Sequence, residues 1–329
     1  MKILVTGGAG YIGSHTCKAL ARSGFTPVTY DNFSRGFRWA VKFGPLEEGD
    51  IADVARVREV ISKHKPAAVI HFAANSYAGE SVTHPQLYYG NNIAGSYGLL
   101  EALRGHSRES RNPVIPLVFS SSCSVYGDAG DAPMTEALPF APVSPYGFSK
   151  FAVERMLADY GRAHGLRSIC LRYFNAAGAD PDGELGEAHE PETHLIPLVL
   201  EAAAGKREAI EVYGNDYPTP DGTCIRDYIH VSDLADAHVL AVEKLLTPHP
   251  AEGALNLGTG RGYSVAEVIA AAERVTGRKV ATRMRARREG DPPRAVADAS
   301  LAKRELGWQA RHGLEDMIRH AWAWMNRTG

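Results

Sequence analysis

The sequence predicts a parallel β-sheet covered by helices on both faces, joined to a second, smaller mixed α/β domain, and three observations predict it. Short apolar runs rich in β-branched residues (Ile3 to Thr6, Val28 to Asp31, Ala68 to Phe72, Val114 to Ser120, Ser168 to Tyr173) alternate with longer stretches of helical periodicity. A glycine-rich turn, Thr6-Gly7-Gly8-Ala9-Gly10-Tyr11-Ile12-Gly13, stands between the first strand and the helix around Ser14 to Leu20. After Asn175 the texture changes to Gly, Pro and acidic residues through Glu192, then to helices and short strands broken by loops such as Gly214 to Thr223.

Each helix has a local reason to start or stop. Asp53 can cap a segment with Val54, Val57, Val60 and Ile61 on one stripe, closed by Lys65-Pro66. Ser264-Val265-Ala266-Glu267 reads as a capping box, and Leu314 to Trp324 as a last amphipathic helix. The division expected is residues 1–175, with 231–257 returning to them, against 176–230 and 258–329.

Composition bounds the function. With 329 residues, 44% hydrophobic, 22% charged and a formal net charge of -2, the chain is an ordinary globular one. The cluster Arg283, Arg285, Arg287 and Arg288 lacks the broad positive field that nucleic-acid binding needs. No apolar run is long enough to span a bilayer or to act as a signal peptide, so neither nucleic acid nor membrane is an expected partner. Cys17, Cys123, Cys170 and Cys224 are far apart, as expected for reduced cytoplasmic thiols. No metal is expected: His189-Glu190-Pro191-Glu192-Thr193-His194 lacks helical HExxH spacing and reads as loop.

The glycine turn has a physical purpose. Gly7, Gly10 and Gly13 permit a tight turn and let the backbone approach a pyrophosphate, which the free N–H groups at the helix start would meet. This is the dinucleotide cradle of a Rossmann-type domain. Asp31, at the end of the second strand, can accept hydrogen bonds from an adenosine ribose and repel a 2′-phosphate, favouring NAD over NADP, although Arg35 lies close enough to receive that phosphate. Asp50-Ile51 either flanks the adenine or begins a helix cap.

Further along, Ser144-Pro145 caps a helix on which Tyr146 and Lys150 stand four residues apart on one face. Removing hydride from a carbinol carbon needs a base on its hydroxyl, and a phenol of pKa ~10 is almost wholly neutral at pH 7. A lysine charge about 6 Å away, at an effective dielectric of ~20, supplies roughly 2.8 kcal/mol, or about two pKa units. A positive nicotinamide ring is the natural second contributor. Ser122, which can donate and accept as the proton moves, completes a triad.

A cradle, a strand-end cluster Ser120-Ser121-Ser122 and YxxxK together resemble the extended short-chain dehydrogenase/reductase family. Further landmarks are His71-Phe72-Ala73-Ala74, Gly79-Glu80-Ser81-Val82, Asn91-Asn92, Leu171-Arg172-Tyr173-Phe174-Asn175, Arg226-Asp227-Tyr228-Ile229-His230 and Arg287-Arg288-Glu289-Gly290-Asp291. Over essentially the whole chain these are similar to its UDP-glucose 4-epimerase branch. The resemblance implies an isomerase of galactose metabolism that keeps NAD bound, oxidises the sugar 4-hydroxyl to a 4-keto intermediate, and returns the hydride to the other face. It implies Ser122, Tyr146 and Lys150 as catalytic residues. Around NAD it implies Gly7, Gly10, Tyr11, Ile12, Gly13, Asp31, Asn32, Asp50, Ile51, Phe72, Ala73, Ala74, Asn91, Ser120 and Tyr173, with Tyr146 and Lys150. Around the UDP-sugar it implies Asn175, His194, Leu195, Tyr213, Arg226, Arg288, Asp291 and Ala295, with Ser122 and Tyr146, the two arginines meeting the diphosphate. A homodimer pairing the helices around Gln86 to Leu103 and Ser144 to His164 is likewise implied.

There are departures. A lysine common beside the nicotinamide ribose corresponds to Ser76, and an asparagine near the phosphates to His194. A bulky tyrosine of narrow-specificity members corresponds to Ala295, leaving room for UDP-N-acetylhexosamines. Cys123-Ser124 stands where 4,6-dehydratases carry an Asp-Glu pair, which argues against elimination. Two alternatives stay open at this point: a UDP-pentose (xylose/arabinose) 4-epimerase, and a non-catalytic NAD-binding protein.

Overall fold

The computed structural model describes residues 1–248, 252–288 and 291–328. Glu289 and Gly290 of the Arg287–Asp291 motif lie outside them. The first half holds strands β1 (Lys2–Thr6), β2 (Thr26–Asp31), β3 (Leu46–Glu48), β4 (Ala68–His71), β5 (Leu117–Ser122) and β6 (Ser168–Tyr173). Between them run α1 (Tyr11–Arg22), α2 (Val54–His64), α3 (Ala78–Thr83), α4 (Pro85–Tyr88), α5 (Ser96–Ser110) and α6 (Pro145–His164). A π-helical segment, Tyr89–Gly95, joins α4 to α5 and carries Asn91 and Asn92. The second half supplies β7 (Asn175–Ala177), α7 (Leu195–Ala203), β8 (Ile210–Tyr213), β9 (Ile225–His230), α8 (Val231–Leu245), β10 (Gly253–Leu257), β11 (Gly262–Ser264), α9 (Val265–Thr276), β12 (Thr282–Arg285), β13 (Arg294–Ala295), α10 (Ser300–Leu306) and α11 (Leu314–Thr328).

Seven strands form one parallel sheet in the order β10-β6-β5-β4-β1-β2-β3. Both faces are buried, which is why its strands read as continuous apolar runs. Ile3, Val5, Ile70 and Leu171 face Cys17 and Leu20 of α1 and Leu234 and Val242 of α8. Leu4, Val28, Val69 and Phe119 face Val57 and Ile61 of α2, Leu99 and Leu103 of α5, and Val153 and Leu157 of α6. The strand order reverses at β1, so a crevice opens beyond the carboxyl ends of β1, β4 and β5, where doubly wound sheets bind ligands.

The expected caps form. Asp53 accepts from the Arg56 amide, and Ser264 and Glu267 make the reciprocal capping box. One strand is shifted from expectation: β5 runs Leu117–Ser122 where the apolar pattern put Val114 to Ser120. Pro113 and Pro116 have no N–H to give a ladder, and Pro116 offers only its carbonyl, to the Val69 amide. The first helix likewise starts at Tyr11, inside the glycine turn.

After β6 the chain builds a smaller unit. β7, β11 and β13 all pair with β9, while β8 and β12 pair parallel to each other. Ile196 and Leu200 of α7, Val268 and Ala272 of α9, and Met317 and Ile318 of α11 form its core. The chain returns to the large sheet with α8 and β10, which pairs with β6. Among the described residues no helix is long and apolar enough to cross a membrane.

A buried ion pair ties this sheet to α6. Arg172 on β6 donates from Nε to Glu154 Oε1 at 2.9 Å and from Nη2 to Oε2 at 2.6 Å, and from Nη1 to the Tyr126 hydroxyl at 2.8 Å. The Tyr126 hydroxyl donates to Asn256 Oδ1 on β10 at 2.7 Å, and Ser121 on β5 donates to Glu154. Arg172 and Glu154 are 4% and 7% exposed, so removing one partner strands a charge without solvent. Glu154→Ala is expected to cost about 3–5 kcal/mol by urea unfolding, and Arg172→Met added to it should recover much of that.

Candidate active site

A cavity of about 860 Å³ opens at the crevice and reaches across to the smaller unit. Its floor is the glycine turn. Gly7 sits at φ +72°, and a Cβ there would lie 2.6 Å from the Ala73 amide nitrogen; one on Gly13 would lie 2.2 Å from the Gly7 carbonyl oxygen. A side chain at either position would collide with neighbouring backbone and force the turn open. Gly10 caps α1 with no side-chain acceptor, leaving first-turn amides to meet an anion. Turn, helix start and acidic strand end together fit a dinucleotide.

Asp31 ends β2 on the cavity wall, accepting from the Ala9 amide at 2.9 Å and the Phe33 amide at 2.8 Å. Burial raises its pKa against those two amides. Arg35 is already engaged: its Nη2 donates to both Glu80 carboxylate oxygens, at 2.8 and 3.0 Å, and its guanidinium lies 5.1 Å from the Tyr77 ring. Asn32 and Ile51 line the cavity, but Asp50 does not; its Oδ2 accepts from the Asn32 amide at 2.8 Å. Asp50 thus orients Asn32 from the exposed rim.

Tyr11, Ile12, Phe72, Ala73, Ala74 and Asn91 also line the cavity. The Tyr11 hydroxyl donates to the Gly178 carbonyl at 2.6 Å, linking the cradle to the smaller unit. Asn92 holds the π-helical segment in place, bonding the Asn75 backbone through both amide atoms and donating to Ser149 on α6 at 2.9 Å.

Ser122, Tyr146 and Lys150 line this same cavity. Ser144 accepts the Gly147 amide with Pro145 at the first helical position, which starts α6 so that Tyr146 and Lys150 share its sheet-facing side. Lys150 Nζ donates to the Ser120 carbonyl at 2.8 Å and lies 5.9 Å from the Tyr146 ring centroid. Ser120 itself lies behind the wall, its hydroxyl donating to that of Tyr173 at 3.2 Å. Burial pushes the Tyr146 phenol well up, Tyr173 adds to this, and the Ser122 hydroxyl opposes it. Burial likewise lowers Lys150 to about 7, against the Glu154 carboxylate. A lysine at the expected distance thus does not by itself ionise Tyr146, because the dry pocket that brings the pair together disfavours both charges.

On the far wall stand Asn175, His194, Arg226, Arg288, Asp291 and Ala295. Arg226 Nη2 donates to Asp291 Oδ1 at 3.1 Å. Tyr213 and Leu195 do not line the cavity: the Arg288 guanidinium lies 3.9 Å from the Tyr213 ring centroid, and Leu195 begins α7 and packs into the smaller core. Residues that the sequence did not single out also line it, among them Tyr77, Met134 and Glu187. Glu187 carries no motif signal, whereas the 189–194 segment was visible as a loop of unusual composition. That loop, which lacks helical metal-ligand spacing, brings both its histidines against Glu187 and Glu192.

Residues 3–258 match the profile of the NAD dependent epimerase/dehydratase family. The chain belongs to that family. Among its relatives is a UDP-glucose 4-epimerase of Rhizobium leguminosarum bv. trifolii, 51% identical, with 98% of this chain and 96% of that one covered. The crystal structure of UDP-glucose 4-epimerase from Brucella ovis in complex with NAD is 54% identical with a TM-score of 0.93, covering 98% and 97% of the two chains. That from Bifidobacterium longum in complex with NAD+ and UDP is 38% identical at the same TM-score of 0.93, covering 99% and 98%. Family membership accounts for the conjunction of cradle, triad and arginine-lined wall in one cavity.

Two outcomes follow from the geometry. The Lys150 ammonium is disfavoured by folding, so between pH 7 and its unfolded value near ~10.5 the unfolded chain binds the extra proton and stability rises with pH. Lys150→Met should therefore stabilise the fold by on the order of 1–3 kcal/mol at pH 7, losing that advantage by pH ~10.5, in thermal unfolding at both pH values. Separately, Glu80→Gln loosens Arg35 and should raise NADP affinity by about three- to tenfold relative to NAD, measured by fluorescence titration.

Proposed function

We propose that this protein is an NAD-dependent UDP-glucose 4-epimerase that interconverts UDP-galactose and UDP-glucose. The observation that carries the reading is that Ser122, Tyr146 and Lys150 line one cavity together with the dinucleotide cradle and with Arg226 and Arg288. NAD, when bound, accepts a hydride from C4 of the sugar and gives it back. Tyr146 takes the proton of the 4-hydroxyl and later returns it, and the Ser122 hydroxyl bridges the two oxygens as it moves. Lys150, anchored on the Ser120 carbonyl, sets its charge beside the phenol.

Arg226 and Arg288 hold the diphosphate, with Asp291 orienting Arg226. Binding energy placed on the UDP lets the 4-keto sugar turn over without leaving. Residues 1–175 with 231–257 form the NAD-binding domain in this reading, and 176–230 with 258–329 the UDP-sugar domain. Solvent-exposed Leu87, Tyr89, Tyr97 and Phe148, between the start of α4 and α6, support a homodimer paired through this face, and four free cysteines support a cytoplasmic location.

Ala295 is 7% exposed at the cavity wall among Val125, Tyr126, Met134 and Phe174. A small residue there leaves room for a 2-acetamido group, so UDP-N-acetylhexosamines are included. Purified protein without added cofactor is expected to convert UDP-galactose and its N-acetyl analogue, measured by separating the sugar nucleotides. Tyr146→Phe should lose ~10²–10⁴-fold in rate, and Ala295→Tyr should lose only the N-acetyl reaction. Conversion of UDP-xylose alone would move the assignment to the pentose enzymes, and no conversion even with NAD added would leave a non-catalytic protein.

A further inference from the structure

The loop between β7 and α7 gathers four groups that the proposed mechanism does not explain. Glu187, His189, Glu192 and His194 each present one donor atom, all within 4.8 Å of one another. His194 Nδ1 lies 3.0 Å from Glu187 Oε1 and 2.8 Å from Glu192 Oε1. His189 Nδ1 lies 3.2 Å from Glu187 Oε1 and 3.5 Å from Glu192 Oε2. Both carboxylates are largely shielded from solvent, with side chains 6% and 11% exposed.

Protons alone do not satisfy this arrangement. Each Nδ1 brings at most one hydrogen, yet four close N···O approaches converge on the same space. His189 Nδ1 is buried and, despite its two carboxylate neighbours, is aligned with neither for a hydrogen bond. We propose that Glu187, His189, Glu192 and His194 form a four-coordinate zinc site that staples this loop to the start of α7.

The donor set and spacing carry the assignment. Ligands at the usual zinc distances in a tetrahedron stand about 3.4 Å apart, close to the separations found here. Two carboxylates and two neutral imidazoles balance a divalent charge, and nitrogen donors select zinc-class ions over magnesium or calcium. Four protein ligands make a closed, structural site and not an open catalytic one. The ligands span only residues 187–194, so closing the loop around an ion costs little chain entropy. Tyr77, with its ring 5.8 Å from that of His189 and 6.2 Å from that of His194, helps to fix both imidazoles from the cavity side.

The test needs no substrate, so it succeeds or fails independently of the epimerase reading. The full-length protein, with its retained cofactor, is stripped by chelator dialysis and titrated with Co²⁺ and then Zn²⁺. One Co²⁺ per chain is expected, with the intense visible absorption of tetrahedral coordination, displaced by one equivalent of Zn²⁺ and untouched by Mg²⁺. Glu187→Gln and His189→Asn should each weaken Zn²⁺ binding at least tenfold and abolish the rise in melting temperature that Zn²⁺ gives the parent. Metal-free melting curves establish that both variants fold. Binding below one equivalent, a weak octahedral-type spectrum, or Zn²⁺ affinity unchanged in both variants overturns the proposal.

Discussion

The position of the triad depends on one buried charge pair. Glu154 stands four residues beyond Lys150 on α6, and through Arg172 it is held against β6 while Ser121 holds it against β5. The same guanidinium reaches Tyr126, and through Tyr126 the Asn256 amide, whose Nδ2 donates to the carbonyl of Met134, a residue that lines the cavity. A guanidinium cannot shed its charge to escape burial, so it admits only the rotation of α6 that brings Glu154 to it. That rotation also points Lys150 at the Ser120 carbonyl. The catalytic register is thus a consequence of where a buried charge can be neutralised.

Burial has a cost at the reacting groups themselves. The dry pocket lowers Lys150 and raises Tyr146, the reverse of what proton abstraction wants. Low polarity also magnifies any charge brought close, so a site that is inert by its own side chains responds strongly to a cation placed beside the phenol. Chemistry is then confined to the assembled state, and the fold gives up stability at Lys150 to make it so.

What was legible in the sequence is what local chemistry dictates. Glycines that a Cβ would clash with, serine and aspartate caps, and a tyrosine and lysine one turn apart announce themselves within a few residues. Alternation of strands and helices gave the doubly wound sheet for the same reason. What stayed hidden depends on residues distant in the chain. Arg35 looked free to take a phosphate because Glu80, its partner, is 45 residues away. Ser120, Tyr213 and Asp50 each bond or stack against a residue that lines the cavity, and Leu195 packs into the smaller core, contacts that depend on the folded chain. Glu187 has no local mark at all, since its environment exists only once the 178–194 loop has folded back.

That loop links two walls of different origin. Its beginning is held by the large domain: Tyr11 of α1 bonds the Gly178 carbonyl, and the buried Lys18 of the same helix meets Asp180, Asp182 and Glu184 at 2.7–2.9 Å. Its end is His194, the residue that starts α7 of the smaller unit. A helix that presents its first turn to one ligand therefore also anchors, from its second turn, the segment facing another. Because Tyr11 and Lys18 are on one helix, the cradle and the start of this loop are tied together by one hydrogen bond and a cluster of short ion pairs around a single buried ammonium, which the three carboxylates neutralise.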